Sequence, residues 1–216
     1  MPALVIDTSS AAVTAGVVDG DRVLAERVTV NARAHAELLA PSIRDCLDEA
    51  GVGLRDLAAV VAGVGPGPFT GLRVGLVTAA SICDALGIPG YPACSLDAIA
   101  AVHADRPRLL VAGDARRKEV YWALYEHSRR LTEPDVSKPA ELPAGLAATA
   151  AVGAGAELYA QVLAVPVLAG GFPTVRGLAA VAADRLLAGA EGEPFVPLYL
   201  RRPDAQVPAA PKPVGG

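Results

Sequence analysis

The chain opens on Ala3-Leu4-Val5-Ile6, an unbroken apolar run of the kind expected for a strand buried on both faces. It ends in a polar turn, Asp7-Thr8-Ser9-Ser10. Ala11 to Val18 reads as a second strand, Asp19-Gly20-Asp21 as a hairpin turn, and Arg22 to Val30 as a third strand. From about Ala34 to Ala50 the apolar positions Leu39, Ile43, Cys46 and Leu47 fall at helical spacing, and Gly51 closes the helix. Pro41 either sits in the first turn of a shorter helix or kinks a longer one. Leu57 to Val64 is a fourth strand. A glycine-rich stretch, Gly63 to Gly75, then leads into a helix ending near Leu86, with Gly87 just past it. Ile88 to Tyr91 is a short strand, and Ser95 is placed as the cap of a helix reaching about His103. The predicted order is βββαβαβα.

The pattern then restarts. Leu109-Leu110-Val111-Ala112 is another buried-strand run ending in a carboxylate, Asp114. Glu119 to Tyr125 alternates as a strand, a polar turn covers Glu126 to Ser128, and Arg129 begins a candidate third strand. A strand ending in Asp, then a turn and a hairpin, thus occurs twice, which predicts two copies of one unit. The second copy is reduced: 134–146 is proline-rich and has little periodicity. Beyond it come a strand at Ala148 to Val152, a helix at Ala154 to Leu163, an amphipathic helix at Thr174 to Gly189 and an extended segment from Phe195 to Leu200. The expected division is an N-terminal lobe at 1–106, a smaller lobe at 107–200 and a Pro/Ala tail at 201–216 that only a partner would order.

Composition narrows the function classes. Hydrophobic residues make up 52% of the 216, which is ample for a core, but only 4% are aromatic. The formal net charge of −4 argues against a protein whose main task is gripping a phosphate backbone. Three short basic runs stand out: Arg116-Arg117-Lys118, Arg129-Arg130 and Arg201-Arg202. Singly they read as solvated surface; they could act together only if the fold aligned them. The odd cysteine count (Cys46, Cys83, Cys94), with no C-x-x-C pair, predicts reduced thiols in a cytoplasmic protein. No signal peptide is read, and no apolar run of about 18 residues escapes polar interruption, so no membrane span is expected.

Candidate chemistry centres on the glycine stretch and the two strand-end carboxylates. Strand, glycine turn and helix form the layout of many phosphate loops. Here Pro66 and Pro68 remove two N–H donors, and neither the dinucleotide spacing nor a P-loop lysine is present. Asp7 and Asp114 could flank a cleft and hold Mg²⁺ with a nucleotide, or each could simply cap its turn. Small residues follow Asp7, whereas bulky Arg116, Arg117 and Lys118 crowd the turn after Asp114. His35, His103 and His127 offer no helical pair for a catalytic metal, and no G-x-S-x-G is present. Gly71, Gly75, Ala79 and Cys83 form a stripe of small residues, flanked by Leu72 and Leu76, that admits a close helix neighbour. That neighbour is either the chain's own helix near Ile43 or another subunit.

Several segments, in order, resemble the TsaB (YeaZ) family. They are Ile6-Asp7-Thr8-Ser9, His35 to Pro41, Gly65-Pro66-Gly67-Pro68-Phe69-Thr70-Gly71-Leu72-Arg73-Val74-Gly75, Asp114 to Tyr121, and Pro197-Leu198-Tyr199-Leu200-Arg201. Pro68 replaces the family's serine, and Ala36 and Ala40 also depart from its pattern. The resemblance implies an α/β fold of two tandem ribonuclease H-like lobes, shared with actin, sugar kinases and heat-shock ATPases, the second lobe reduced. It implies a non-catalytic subunit supporting a TsaD-like paralogue in threonylcarbamoyl transfer to adenosine 37 of tRNA, joined by a TsaE-like ATPase. ATP or ADP and metal are then expected in the partners, tRNA is reached indirectly, and a homodimer is plausible for the chain alone. The helices of the first lobe would carry the interface, on Leu39, Ile43, Gly71, Leu72, Arg73, Gly75, Leu76 and Ala79. Any nucleotide contact would fall on Asp7, Thr8, Gly65 and Gly67. The alternative is a small ATP-dependent kinase or ATPase of the same superfamily using Asp7 and Asp114, and an old metallopeptidase label for the wider family finds no ligand set here.

Overall fold

The computed structural model describes residues 1–201, and the expected tail beyond Arg201 lies outside the described residues. Two sheets are built in the same way. The first comprises β1 (Pro2–Asp7), β2 (Ala12–Asp19), β3 (Arg22–Val30), β4 (Ala59–Gly63) and β5 (Gly90–Ala93), in the order β3-β2-β1-β4-β5. The second comprises β6 (Leu109–Asp114), β7 (Val120–Glu126), β8 (Arg129–Arg130), β9 (Asp135–Ser137), β10 (Ala150–Val152) and β11 (Val167–Leu168). Its order is β11-β10-β6-β7-β8, with β9 also on β7. In each sheet the opening hairpin is antiparallel and the later strands run parallel to the first. The restart read in the sequence is therefore a repeat of topology, with shorter strands the second time.

The apolar run at β1 is explained by its two covered faces. Leu4 and Ile6 pack with α1 (His35–Ala50) and α2 (Phe69–Leu86), through Leu39, Ile43, Cys46, Leu72, Leu76 and Ala79. Ala3 and Val5 face the other way, onto Leu178 and Ala182 of α6 (Val175–Ala188) and Ala98 of α3 (Ser95–Ala101). The second sheet sets Val111, Ala123 and Tyr125 against Leu96 and Ile99 of α3. Its opposite face sets Trp122 and Ala151 against Ala156. So α3 lies between the sheets, and α6, although it follows the second sheet in the chain, returns to cover the first. Thr174 caps α6 by accepting a hydrogen bond from the Gly177 N–H at 3.1 Å.

Several local expectations shift. Pro41 lies inside an unbroken α1, on its exposed side. The short strand forms at Gly90–Ala93 instead of Ile88 to Tyr91, and Pro92 is tolerated because β5 is an edge. The helix expected at Ala154 to Leu163 breaks at Tyr159 into α4 (Ala154–Leu158) and α5 (Ala160–Leu163). Phe195 to Leu200, expected to be extended, joins no ladder and bends twice, the Val196 N–H donating to the Pro194 carbonyl at 2.9 Å and the Tyr199 N–H to the Pro197 carbonyl at 3.0 Å; the Leu198 N–H donates to the Val64 carbonyl at 2.8 Å. Cys46 and Cys94 are buried free thiols, pushed up by that burial to about 11 and about 12.

By length and composition alone the 18 residues of α2 are apolar enough to cross a membrane, although Arg73 and Asp84 interrupt them. Its inner face is docked on the first sheet through Leu72, Leu76 and Ala79. Its outer face is left uncovered.

Candidate functional site

The turn after β1 and the glycine stretch after β4 meet at adjacent strand ends, because β1 and β4 are parallel neighbours. Asp7 is only 1% exposed. Its carboxylate accepts from the Ser9 N–H and Ser9 Oγ at 2.8 Å each, and from Ser95 Oγ at 2.5 Å. Ser95 Oγ in turn accepts from the Gly65 N–H at 3.2 Å. Thr8 Oγ1 donates to the Gly71 carbonyl at 2.7 Å and accepts from the Gly75 N–H at 2.9 Å. His35 Nε2 lies 2.8 Å from the Ser10 carbonyl. The 7–10 turn is thus clamped by the glycine stretch, by the start of α3 and by the start of α1.

The glycines explain themselves in this arrangement. A Cβ on Gly63 would lie 1.7 Å from Asp7 Oδ2, and one on Gly67 would lie 2.0 Å from the Ser9 carbonyl oxygen. One on Gly75 would lie 2.6 Å from Thr8 Oγ1. The space a phosphate loop keeps open for its ligand is filled here by the protein's own turn. The residues expected to contact a nucleotide, Asp7, Thr8, Gly65 and Gly67, are brought together, but Asp7 and Thr8 already bond to neighbouring protein groups. In the sequence Ser95 has the place of a helix cap. It is the first residue of α3, and its hydroxyl turns to Asp7. Their separation of 88 residues left no local signal for that pairing.

Burial pushes the Asp7 carboxyl up from its ordinary 3.8, outweighing the Ser95 and Ser9 hydrogen bonds that favour the carboxylate. A raised folded-state value means that the folded chain holds the proton more tightly than the unfolded chain does. Its contribution to stability is therefore full below about 3.8 and is lost as pH rises through the folded value. Urea unfolding across that window should show wild type losing stability relative to Asp7→Asn as pH rises. The opposite slope would show that the three donors, not desolvation, decide the balance.

Asp114 does not join Asp7. It lines a cleft of about 410 Å³ between the sheets, together with Ser10, His35, Phe69, Leu96 and Phe172, and Asp7 is not part of its wall. Asp114 accepts from the Arg116 N–H at 2.8 Å and pairs with its guanidinium at 3.4 Å.

The residues assigned to a partner surface separate sharply. Leu39, Ile43, Leu72, Gly75, Leu76 and Ala79 are buried within the chain, Gly71 is half-buried, and of the eight only Arg73 is exposed. Thr8 and, at the start of α1, His35 sit against Gly71 and Gly75, so the chain's own elements occupy that end of the small stripe, whereas Arg73, Leu76 and Cys83 line a groove on α2. The open side of α2 carries other residues. Arg73 stacks on Phe69 with its guanidinium 3.8 Å from the ring centroid, Tyr199 stacks on Phe69 at 5.0 Å, and Arg73 Nε donates to Tyr199 Oη at 3.1 Å. Beside them Val77 is 63% exposed. A groove of about 740 Å³ runs along this side, lined by Val77, Ala80, Ile88, Phe195, Pro197 and Tyr199. Phe195 and Tyr199 reach it from the far end of the chain, which helical spacing within α2 could not show.

The family model for TsaD, tRNA N6-adenosine threonylcarbamoyltransferase, matches residues 22–161. An uncharacterized protein of Mycobacterium tuberculosis is 47% identical over 94% of this chain and 93% of its own. A Mycobacterium leprae relative has the same identity, but the chain spans only 55% of its length. The tRNA threonylcarbamoyladenosine biosynthesis protein TsaB of Bacillus subtilis is 32% identical over 62% of this chain and 58% of its own. Among solved structures, YeaZ from Pseudomonas aeruginosa superposes with a TM-score of 0.78 at 29% identity, covering 92% of this chain and 99% of that one. The two-lobed α/β fold, the match to the TsaD model over more than half the chain and these relatives together establish that the chain belongs to the TsaD family, in its TsaB/YeaZ branch.

Proposed function

We propose that this chain is a non-catalytic subunit of the cytoplasmic machinery that makes threonylcarbamoyladenosine in tRNA, and that it works by binding a TsaD-like paralogue. The observation that carries the proposal is the outer side of α2. An apolar helix presents Val77 and Ala80 beside a groove, next to a preformed Arg73–Phe69–Tyr199 cluster. Aromatic and arginine anchors beside a pocket are the residues that dominate binding energy at protein interfaces. Relatives carrying the TsaB name support the pathway, and matches to TsaD enzymes support the kind of partner. The sealed Asp7 turn favours a supporting role, since its carboxylate and glycines are spent on internal contacts. On this reading a TsaE-like ATPase joins the pair, ATP or ADP and metal are held by the partners, and the same side of α2 pairs two copies when the paralogue is absent.

Calorimetric titration of the purified chain with the TsaD paralogue of the same organism tests this directly. A stoichiometric pair is expected, together with loss of threonylcarbamoyladenosine from tRNA when the chain is depleted. The kinase or ATPase alternative calls for saturable Mg-ATP binding by the chain alone that Asp7→Asn abolishes. That result, with no pairing, would replace the present reading.

A further inference from the structure

The outer side of α2 has a period of its own. Thr70, Arg73, Val77, Ala80 and Asp84 are all exposed and follow one another at steps of three, four, three and four residues. That alternation is the seam along which one helix packs on another. The seam is apolar in the middle and oppositely charged towards its ends. Arg73 stacks on Phe69 and bonds to Tyr199, but it pairs with no carboxylate among the described residues. Asp84 makes neither a hydrogen bond nor an ion pair among the described residues. Both charges line the outer groove, and the other carboxylate there, Glu193, is already tied to Arg185 at 2.9 Å.

The order of these residues complements itself. Arg73 and Asp84 lie equally far from the point between Thr78 and Ala79, and so do Val77 and Ala80. A two-fold axis through that point, set across the helix, lays a second α2 antiparallel on the first. The larger Val77 then meets the small Ala80 of the second copy, and Arg73 meets the second copy's Asp84, each contact occurring twice. Eleven residues of helix separate the two charges, about 16 Å, so each is held at its own end of the seam. A parallel pair would instead set Arg73 against Arg73 and Asp84 against Asp84, and like charges brought together across an interface suppress that arrangement.

We propose that two copies of this chain pair through α2 in an antiparallel, two-fold contact whose direction and register are set by Arg73 and Asp84. This contact uses the side of α2 read above as a pairing surface, and so rests on that reading. Val77 and the Phe69–Tyr199 stack beside it are the anchors. The end charges add little attraction at an exposed rim, but they exclude the wrong orientation. Because the paralogue is assigned to the same side, a self-paired copy is closed to it, and the two pairings compete for one surface.

Sedimentation equilibrium of wild type, of Asp84→Arg, of Arg73→Asp and of an equal mixture of the two variants tests this. Wild type should self-associate. Each variant alone places like charges at both ends of the antiparallel contact, and should self-associate about tenfold or more weakly. The mixture should recover most of that loss, because two carboxylates on one copy then face two guanidinium groups on the other. Both positions are exposed, so circular dichroism should show both variants folded. A wild-type chain that stays monomeric would overturn the proposal. So would an Asp84→Arg variant that self-associates as wild type does, or a mixture no stronger than its components. Titration of wild type with the TsaD paralogue judges the functional reading apart. Pairing there, alongside any of those failures, would leave the functional reading in place. Rescue in the mixture without paralogue pairing would leave the antiparallel contact in place and remove the paralogue from this surface.

Discussion

Gly75→Leu is expected to cost about 4 kcal/mol or more and to leave little folded protein. The reason is geometric. Gly75 is buried against the turn after β1, where a Cβ would already lie 2.6 Å from Thr8 Oγ1. A leucine must displace Thr8, which takes its hydroxyl away from both the Gly71 carbonyl and the Gly75 N–H. Overpacking of this kind costs about 1–3 kcal/mol, and leaving buried donors unpaired adds about 1–3 more. Circular dichroism and thermal melts would check it. A melting temperature within a few degrees of wild type would mean that α2 can slide away from β1 at low cost, and that the close approach is not essential.

Val77→Glu should do the reverse. Val77 is 63% exposed, so the variant should melt with wild type, because surface changes are usually within about 0.5 kcal/mol. Its pairing with the TsaD paralogue should weaken by about 30-fold or more, or about 2 kcal/mol, because a carboxylate would have to be buried without a partner at the centre of the contact. The two variants lie two residues apart on opposite sides of one helix, and together they separate folding from binding. Tight pairing by Val77→Glu would move the interface off the outer side of α2.

The contrast between these positions also marks how far the sequence could be read. Period and turn chemistry located β1, the hairpin, α1, α2 and the restart at Leu109, because each depends on neighbours close in the chain. They also showed that one side of α2 packs tightly. They could not show what it packs on, since Thr8 is 67 residues away and nothing local couples the two. Ser95 failed for the same reason: a serine opening a helix reads as a cap until its partner, Asp7, comes into view. The outer groove was hidden for a related reason, since one wall of it arrives with Phe195 and Tyr199 on a segment with no ladder and no helical period. The charge runs were visible from the start, but the seating of Arg201 on Ala115 and Glu119 belongs to the tertiary fold.

The return of α6 to the first sheet has a consequence for how the chain can be made. Val5, Val61 and Tyr91 are covered on one side by Leu178 and Ala182, which are synthesised long after the strands they shield. A nascent chain halted after the first eight elements would therefore carry an apolar sheet face covered only in part, by α3, into the cell. The first half matures only once nearly the whole polypeptide has left the ribosome, so a newly made copy needs shelter, from a chaperone or from haste, until α6 closes over it.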